Sequence, residues 1–151
     1  MTSSRFAPRT LASPTGATLN LYHREAEAEA IGVVQINHGL AEHSARYARF
    51  ASELARAGFH VYAQDHRGHG GTVVSNTPRQ MFAWKDGADK VIADVDMVHD
   101  LIAGQHPDLP PPWITQSQRF YLLDSTEAQD LSKELRTHIV SVYGSPIPQN
   151  D

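Results

Sequence analysis

The segment from Ile31 to Asp65 leaves the chain few ways to fold. Ile31-Gly32-Val33-Val34-Gln35-Ile36 is a nearly continuous apolar run, as expected of a strand covered on both faces. From Ser44 to Ala57, Tyr47, Phe50, Ala51 and Leu54 recur at helical spacing, and Gly58 stands where a helix-ending glycine belongs. A second strand, Phe59-His60-Val61-Tyr62-Ala63-Gln64-Asp65, follows at once. Strand, helix and strand with short joints predict a parallel sheet with a right-handed crossover, hence an α/β fold.

The flanks extend this unit. Residues 17–23 alternate apolar and polar, EAEAEA interrupts, and the pattern predicts a hairpin-like pairing of 17–23 with the strand at 31–36. Residues 88–105 predict a second helix, with Val91, Val95, Val98 and Ile102 in one stripe for docking on the sheet and His106-Pro107 closing it. The prolines at 110–112 suit neither a helix interior nor a central strand and read as a joint. Beyond them Arg119–Leu123 predicts a short strand and Asp124-Ser125-Thr126-Glu127 a capped helix start. Ala128, Leu131, Leu135 and Ile139 continue that helix, 139–143 fits helix or strand, and GSPIPQND is a loose end. The expected organisation is a flexible N-terminus at 1–16, the α/β unit at 17–110 and an atypical tail at 111–151. The Ser-, Thr- and Arg-rich start shares its composition with transit peptides, but lacking an amphipathic period it reads as a frayed end leading into a strand.

At 151 residues one domain with a real core is expected, since a chain of this size hides roughly two thirds of its unfolded surface. The net charge of -4, with no concentrated Lys/Arg patch, speaks against a nucleic-acid or anionic-membrane surface. No apolar run approaches the roughly 20 residues of a membrane span. Without cysteine there is neither a disulfide framework nor a thiolate metal site, and cytoplasm is the expected compartment. His43, His60, His66 and His69 invite a metal reading; yet His66-x-x-His69 has no helix to bring both rings to one face, so no metal and no cofactor are expected.

Three blocks carry a family resemblance: Ile36-Asn37-His38-Gly39-Leu40-Ala41-Glu42-His43-Ser44-Ala45-Arg46-Tyr47, then Asp65-His66-Arg67-Gly68-His69-Gly70, then Gln105-His106-Pro107-Asp108-Leu109-Pro110. In order and spacing they resemble α/β-hydrolases of the monoacylglycerol lipase, lysophospholipase and serine aminopeptidase S33-like group, over about residues 17–110. The resemblance implies the N-terminal strands and two helices of a mostly parallel sheet, and hydrolysis of lipid-like carboxylic esters. It assigns one catalytic position, the backbone N–H of Leu40 in the oxyanion hole. Such donors are among the largest contributions to acyl-transfer rates. His38, Gly39, Asp65, His66 and Gly68 are implied as residues that shape the site.

The nucleophile is another matter. The family's elbow needs G-x-S-x-G between a strand and a helix, and no such run occurs in the sequence. Ser125, Asp130 and His138 follow the triad's chain order, but Leu123 and Glu127 stand where glycines are required. On one helix Asp130 and His138 would also lie about 140° and 220° around from Ser125. Arg119–Leu123 is expected to fill the slot beside the 31–36 strand that the elbow strand would occupy. The expected function is a lipid-ester hydrolase fragment or fusion, catalytically incompetent as it stands. The alternatives are a non-catalytic binding or assembly module self-associating through an open sheet edge, or a tail produced by a frameshift.

Overall fold

The computed structural model describes residues 5–39 and 41–116. They form a five-stranded sheet with strand order β1-β2-β4-β3-β5 and two helices. The strands are β1 (Ala7–Ala12), β2 (Thr18–Arg24), β3 (Gly32–Asn37), β4 (Phe59–Gln64) and β5 (Trp113–Gln116). The helices are α1 (Ala48–Arg56), entered through a 3-10 turn at Ser44–Tyr47, and α2 (Gly87–Gln105). The pairs β3–β4 and β3–β5 are parallel, while β1–β2 and β2–β4 are antiparallel.

The crossover follows the sequence closely. β3 runs beside β4 from Gly32↔Phe59 to Asn37↔Gln64, and α1 connects them. α1 stops at Gly58, whose φ of +94° suits glycine and whose hypothetical Cβ would lie 2.7 Å from the Glu29 carbonyl oxygen. Alternation along the strands divides the core into two layers. Leu19, Leu21, Val33 and Tyr62 pack with Val98 and Ile102 of α2; Val34, Ile36, Phe59, Val61 and Ala63 pack with Ala51 and Leu54 of α1. The two helices therefore cover opposite faces.

Four expectations change. β2 does not pair with β3: it hairpins with β1 and lies beside β4. The 25–31 connection passes along the end of α1 instead, the Glu27 N–H donating to the Ala55 carbonyl and the Ile31 N–H to the Gly58 carbonyl, each at 2.8 Å. Within the supposed flexible start, residues 7–12 are strand β1, an outer strand whose exposed side chains give no apolar alternation to read. The helix expected over 44–57 begins as a 3-10 turn, because the Ser44 N–H is drawn to the Asp65 carboxylate. The slot beside β3 is filled by β5, not by residues 119–123, with Val34↔Trp113 through Asn37↔Gln116 in register. The prolines at 110–112, which cannot continue a helix, feed β5 directly. Residues 119–123 and the helix expected in the tail lie outside the described residues.

Candidate functional site

The C-terminal ends of β3 and β4 converge on a buried polar network. It begins inside the sheet, where Gln64 Nε2 donates to Asn37 Oδ1 at 2.6 Å and Gln35 Nε2 donates to the Val95 carbonyl of α2 at 3.2 Å. All three residues are buried, so these bonds offset the desolvation of amides placed in a core.

Just past β4, Asp65 is the hub. Its Oδ1 accepts the Ser44 N–H at 2.7 Å; its Oδ2 accepts Asn20 Nδ2 at 2.8 Å and the Gly71 N–H at 2.9 Å. Thr72 Oγ1 donates to the Asp65 carbonyl and accepts the Asn20 N–H, closing the ring. The loop after β4 thus wraps its own first residue. Gly70, at φ +52°, leaves no room for a side chain, since a Cβ there would stand 2.3 Å from Asp65 Oδ2.

His38 ends β3 and interlocks with His66. The His66 N–H donates to His38 Nε2 at 2.9 Å, so that nitrogen carries no proton, and His38 Nδ1–H donates to the Gly39 carbonyl at 2.7 Å. His66 Nε2–H donates back to the His38 carbonyl at 3.0 Å. Burial lowers the pKa of His38, and it pushes His66 down to about 3, with the neighbouring His38 ring adding to the effect. Both rings are neutral at pH 7 and act as braces. His69 Nδ1–H donates to the Arg67 carbonyl, and Phe82 packs against the His66 and His69 rings.

The turn after His38 is fixed by Glu42, whose Oε2 accepts the Gly39 N–H at 2.9 Å and the Tyr47 hydroxyl at 3.0 Å. Ala41 follows in left-handed backbone, at φ 57°. Leu40, the expected oxyanion donor, lies outside the described residues. Of the expected site-shaping residues, His38, Gly39, Asp65 and His66 come together here. Gly68 sits farther along the loop at φ +72°, where a Cβ would be 2.3 Å from the Met81 carbonyl oxygen. Among the described residues no group of three or more His, Asp or Glu is placed to hold a metal ion.

Sequence reasoning missed Asn20, Glu42 and Thr72. Glu42 had a local signal, a carboxylate three residues after the glycine whose N–H it takes, in the manner of a capping box. Also missed was Asp94 on α2, buried with Arg67 at 3.6 Å and accepting hydrogen bonds from the Ser13 and Thr15 hydroxyls. Arg67 donates to Thr15 Oγ1 and to the Phe82 carbonyl, anchoring the loop after β4 to the hairpin and to α2.

The family model for serine aminopeptidase, S33, matches residues 28–118, more than half of the chain and past the proline run. The chain belongs to the serine aminopeptidase S33 family. A monoacylglycerol lipase from Mycolicibacterium smegmatis is 37% identical over 79 residues, covering 52% of this chain and 26% of that protein. A thermostable carboxyl esterase from Bacillus coagulans, solved with glycerol, superposes with a TM-score of 0.63 at 27% identity, over 74% of this chain and 36% of the other. A soluble variant of monoglyceride lipase from Saccharomyces cerevisiae shares the fold, with a TM-score of 0.58 at 17% identity, over 76% of this chain and 35% of the other. The fold of this S33 member is that of the α/β-hydrolases, in part: the chain spans about a quarter to a third of the relatives it matches. No helix among its described residues is long and apolar enough to cross a membrane.

Proposed function

We propose that this S33 family member carries the carbonyl-binding end of a hydrolase for lipid-like carboxylic esters, and that alone it does not turn esters over. The supporting observation is the bracing of the turn after β3. Glu42 occupies the Gly39 N–H and the interlocked His38 and His66 fix the strand ends, so the backbone is held firmly as far as Gly39. A preorganised donor stabilises an oxyanion far better than one that must reorganise. By family resemblance that donor is the Leu40 N–H. The ester substrate class is supported by the lipase and esterase relatives.

The incompetence rests on the missing G-x-S-x-G run. Ser44, beside the hub, is no substitute: among the described residues its buried hydroxyl has no hydrogen-bond partner, so none of them is a base placed to take its proton. Incubating the purified chain with p-nitrophenyl esters and a monoacylglycerol emulsion should give no turnover above buffer, and a fluorophosphonate probe should not label it. Labelling that disappears in Ser125→Ala would overturn this reading.

A second reading, a non-catalytic assembly module, is favoured by β5, which pairs with β3 alone among the described residues. Light scattering behind size-exclusion separates the two, because a monomer at all concentrations removes the support for self-association through that edge.

A further inference from the structure

At the opposite end of the sheet from the site, a second aromatic cluster joins β2, β4 and the end of α2. The His23 ring lies flat on Tyr62, with centroids 4.2 Å apart and planes 10° off parallel. The His60 ring stacks on His106, the residue that caps α2, at 4.3 Å. The Tyr62 hydroxyl meets His106 Nε2 at 2.8 Å and donates to Gln105 Oε1 at 3.2 Å, so one hydroxyl from β4 holds the last turn of α2. His60 Nδ1 accepts the Ala26 N–H from the connection that crosses beneath β4.

We propose that His23, His60, Tyr62 and His106 form an acid-sensitive latch, holding the end of α2 on β4 at neutral pH and releasing it as the pH falls. Three features of the geometry require neutral rings. Among the described residues the buried His23 Nε2 has no hydrogen-bond partner, and in the charged ring, with both nitrogens protonated, it would be an unpaired buried donor. His60 must keep Nδ1 unprotonated to accept the Ala26 N–H. Two stacked imidazolium rings at 4.3 Å would repel each other.

The charged groups facing the cluster are Arg9 of β1, which opposes charge on His23, and Glu25 of the β2–β3 connection, which favours charge on His23, His60 and His106. Burial outweighs Glu25: it is the leading cause holding all three histidines below the ordinary value, His23 at about 4. An opened cluster titrates near 6.5. Above that pH the rings are neutral whether latched or open and the latch is at full strength. Between about 6.5 and 4 the open form binds more protons, so opening is favoured increasingly as the pH drops.

What the latch controls follows from the chain beyond it. His106 lines a cleft of about 210 Å³ with Val33, Ala103 and the prolines at 107 and 110–112, and those prolines deliver β5 to β3. Letting go of Gln105 and His106 loosens the anchor that sets where β5 begins. The device thus couples pH to the docking of the edge strand, independently of whether the chain meets esters.

Amide hydrogen exchange on the whole chain between pH 7.5 and 4.5, corrected for the pH dependence of the chemical step, tests this. The last turn of α2 should open at least roughly tenfold more at pH 4.5 than at 7.5, and amides of α1 should change less. His23→Phe keeps the ring stack and His106→Gln keeps a polar group opposite Tyr62, and each should reduce the pH dependence. A last turn of α2 that does not respond to pH, that opens only in step with α1, or that keeps the full dependence in both variants would overturn the latch.

Discussion

Oδ1 of Asp65, at the end of β4, accepts the backbone N–H of Ser44, in the turn that leads into α1, at 2.7 Å. This bond ties the two loops that leave the parallel pair at the same end. With the Asn20 and Gly71 donors on Oδ2, it makes one carboxylate the common anchor of β2, the entry to α1 and the glycine-rich loop.

Asp65→Ala is therefore expected to cost about 3–5 kcal/mol, because it strands several buried donors at once. Asp65→Asn should fall between the two, since its amide can accept at one position only. Urea unfolding of the three proteins checks the order, and an Asp65→Ala midpoint equal to wild type would refute the anchor.

Glycines at positive φ separate strain from crowding. Gly16 sits at φ +89° with nothing within 4 Å of a Cβ, while Gly70 at φ +52° would press its Cβ onto the Asp65 carboxylate. Gly16→Ala should cost about 1 kcal/mol for conformation alone, and Gly70→Ala clearly more. Thermal melts should rank them in that order.

Acid should weaken the site through His66. Its folded pKa of about 3 lies below the ordinary 6.5, so the ring imposes no penalty above pH 6.5. Stability then drains away as the unfolded chain takes the proton first, by about 3 kcal/mol at pH 4 for this ring. His66→Gln, which can still donate to the His38 carbonyl, should show a flatter fall in denaturation midpoint between pH 7 and 4. An unchanged slope would rule out His66 as a source of the acid sensitivity.

The Arg67–Asp94 pair offers a double-mutant test. Both side chains are 3% exposed, so Asp94→Leu alone leaves a buried guanidinium without its carboxylate and should cost about 3–5 kcal/mol. Adding Arg67→Met should return part of that loss. Strict additivity of the two single changes, measured by chemical denaturation, would argue against direct coupling.

Local pattern was sufficient for α2 and for the β3–α1–β4 crossover, because apolar periodicity and Gly58 report on neighbours in the chain. It failed where partners are distant. Whether β2 lies beside β3 or β4 is set by the path of residues 25–31 over the end of α1, which no alternation encodes. Asp94 lies next to Val95 in the docking stripe, and nothing nearby announces that its oxygens meet Ser13 and Thr15 some 80 residues earlier. The His-Gly and Asp-His blocks were legible as motifs. That their imidazoles brace backbone and stay neutral became visible only once β3 and β4 lay side by side.

The outer strand β1 carries Pro8, which has no N–H to offer an incoming chain, and Arg9 beside it, exposed and charged. β5, at the other margin, begins only after the prolines end, and its own four residues contain none. The two margins of the described sheet consequently differ. One margin is blunted by its own chemistry, while at the other, among the described residues, β5 carries no such block and lies directly beside β3, the strand that ends at His38.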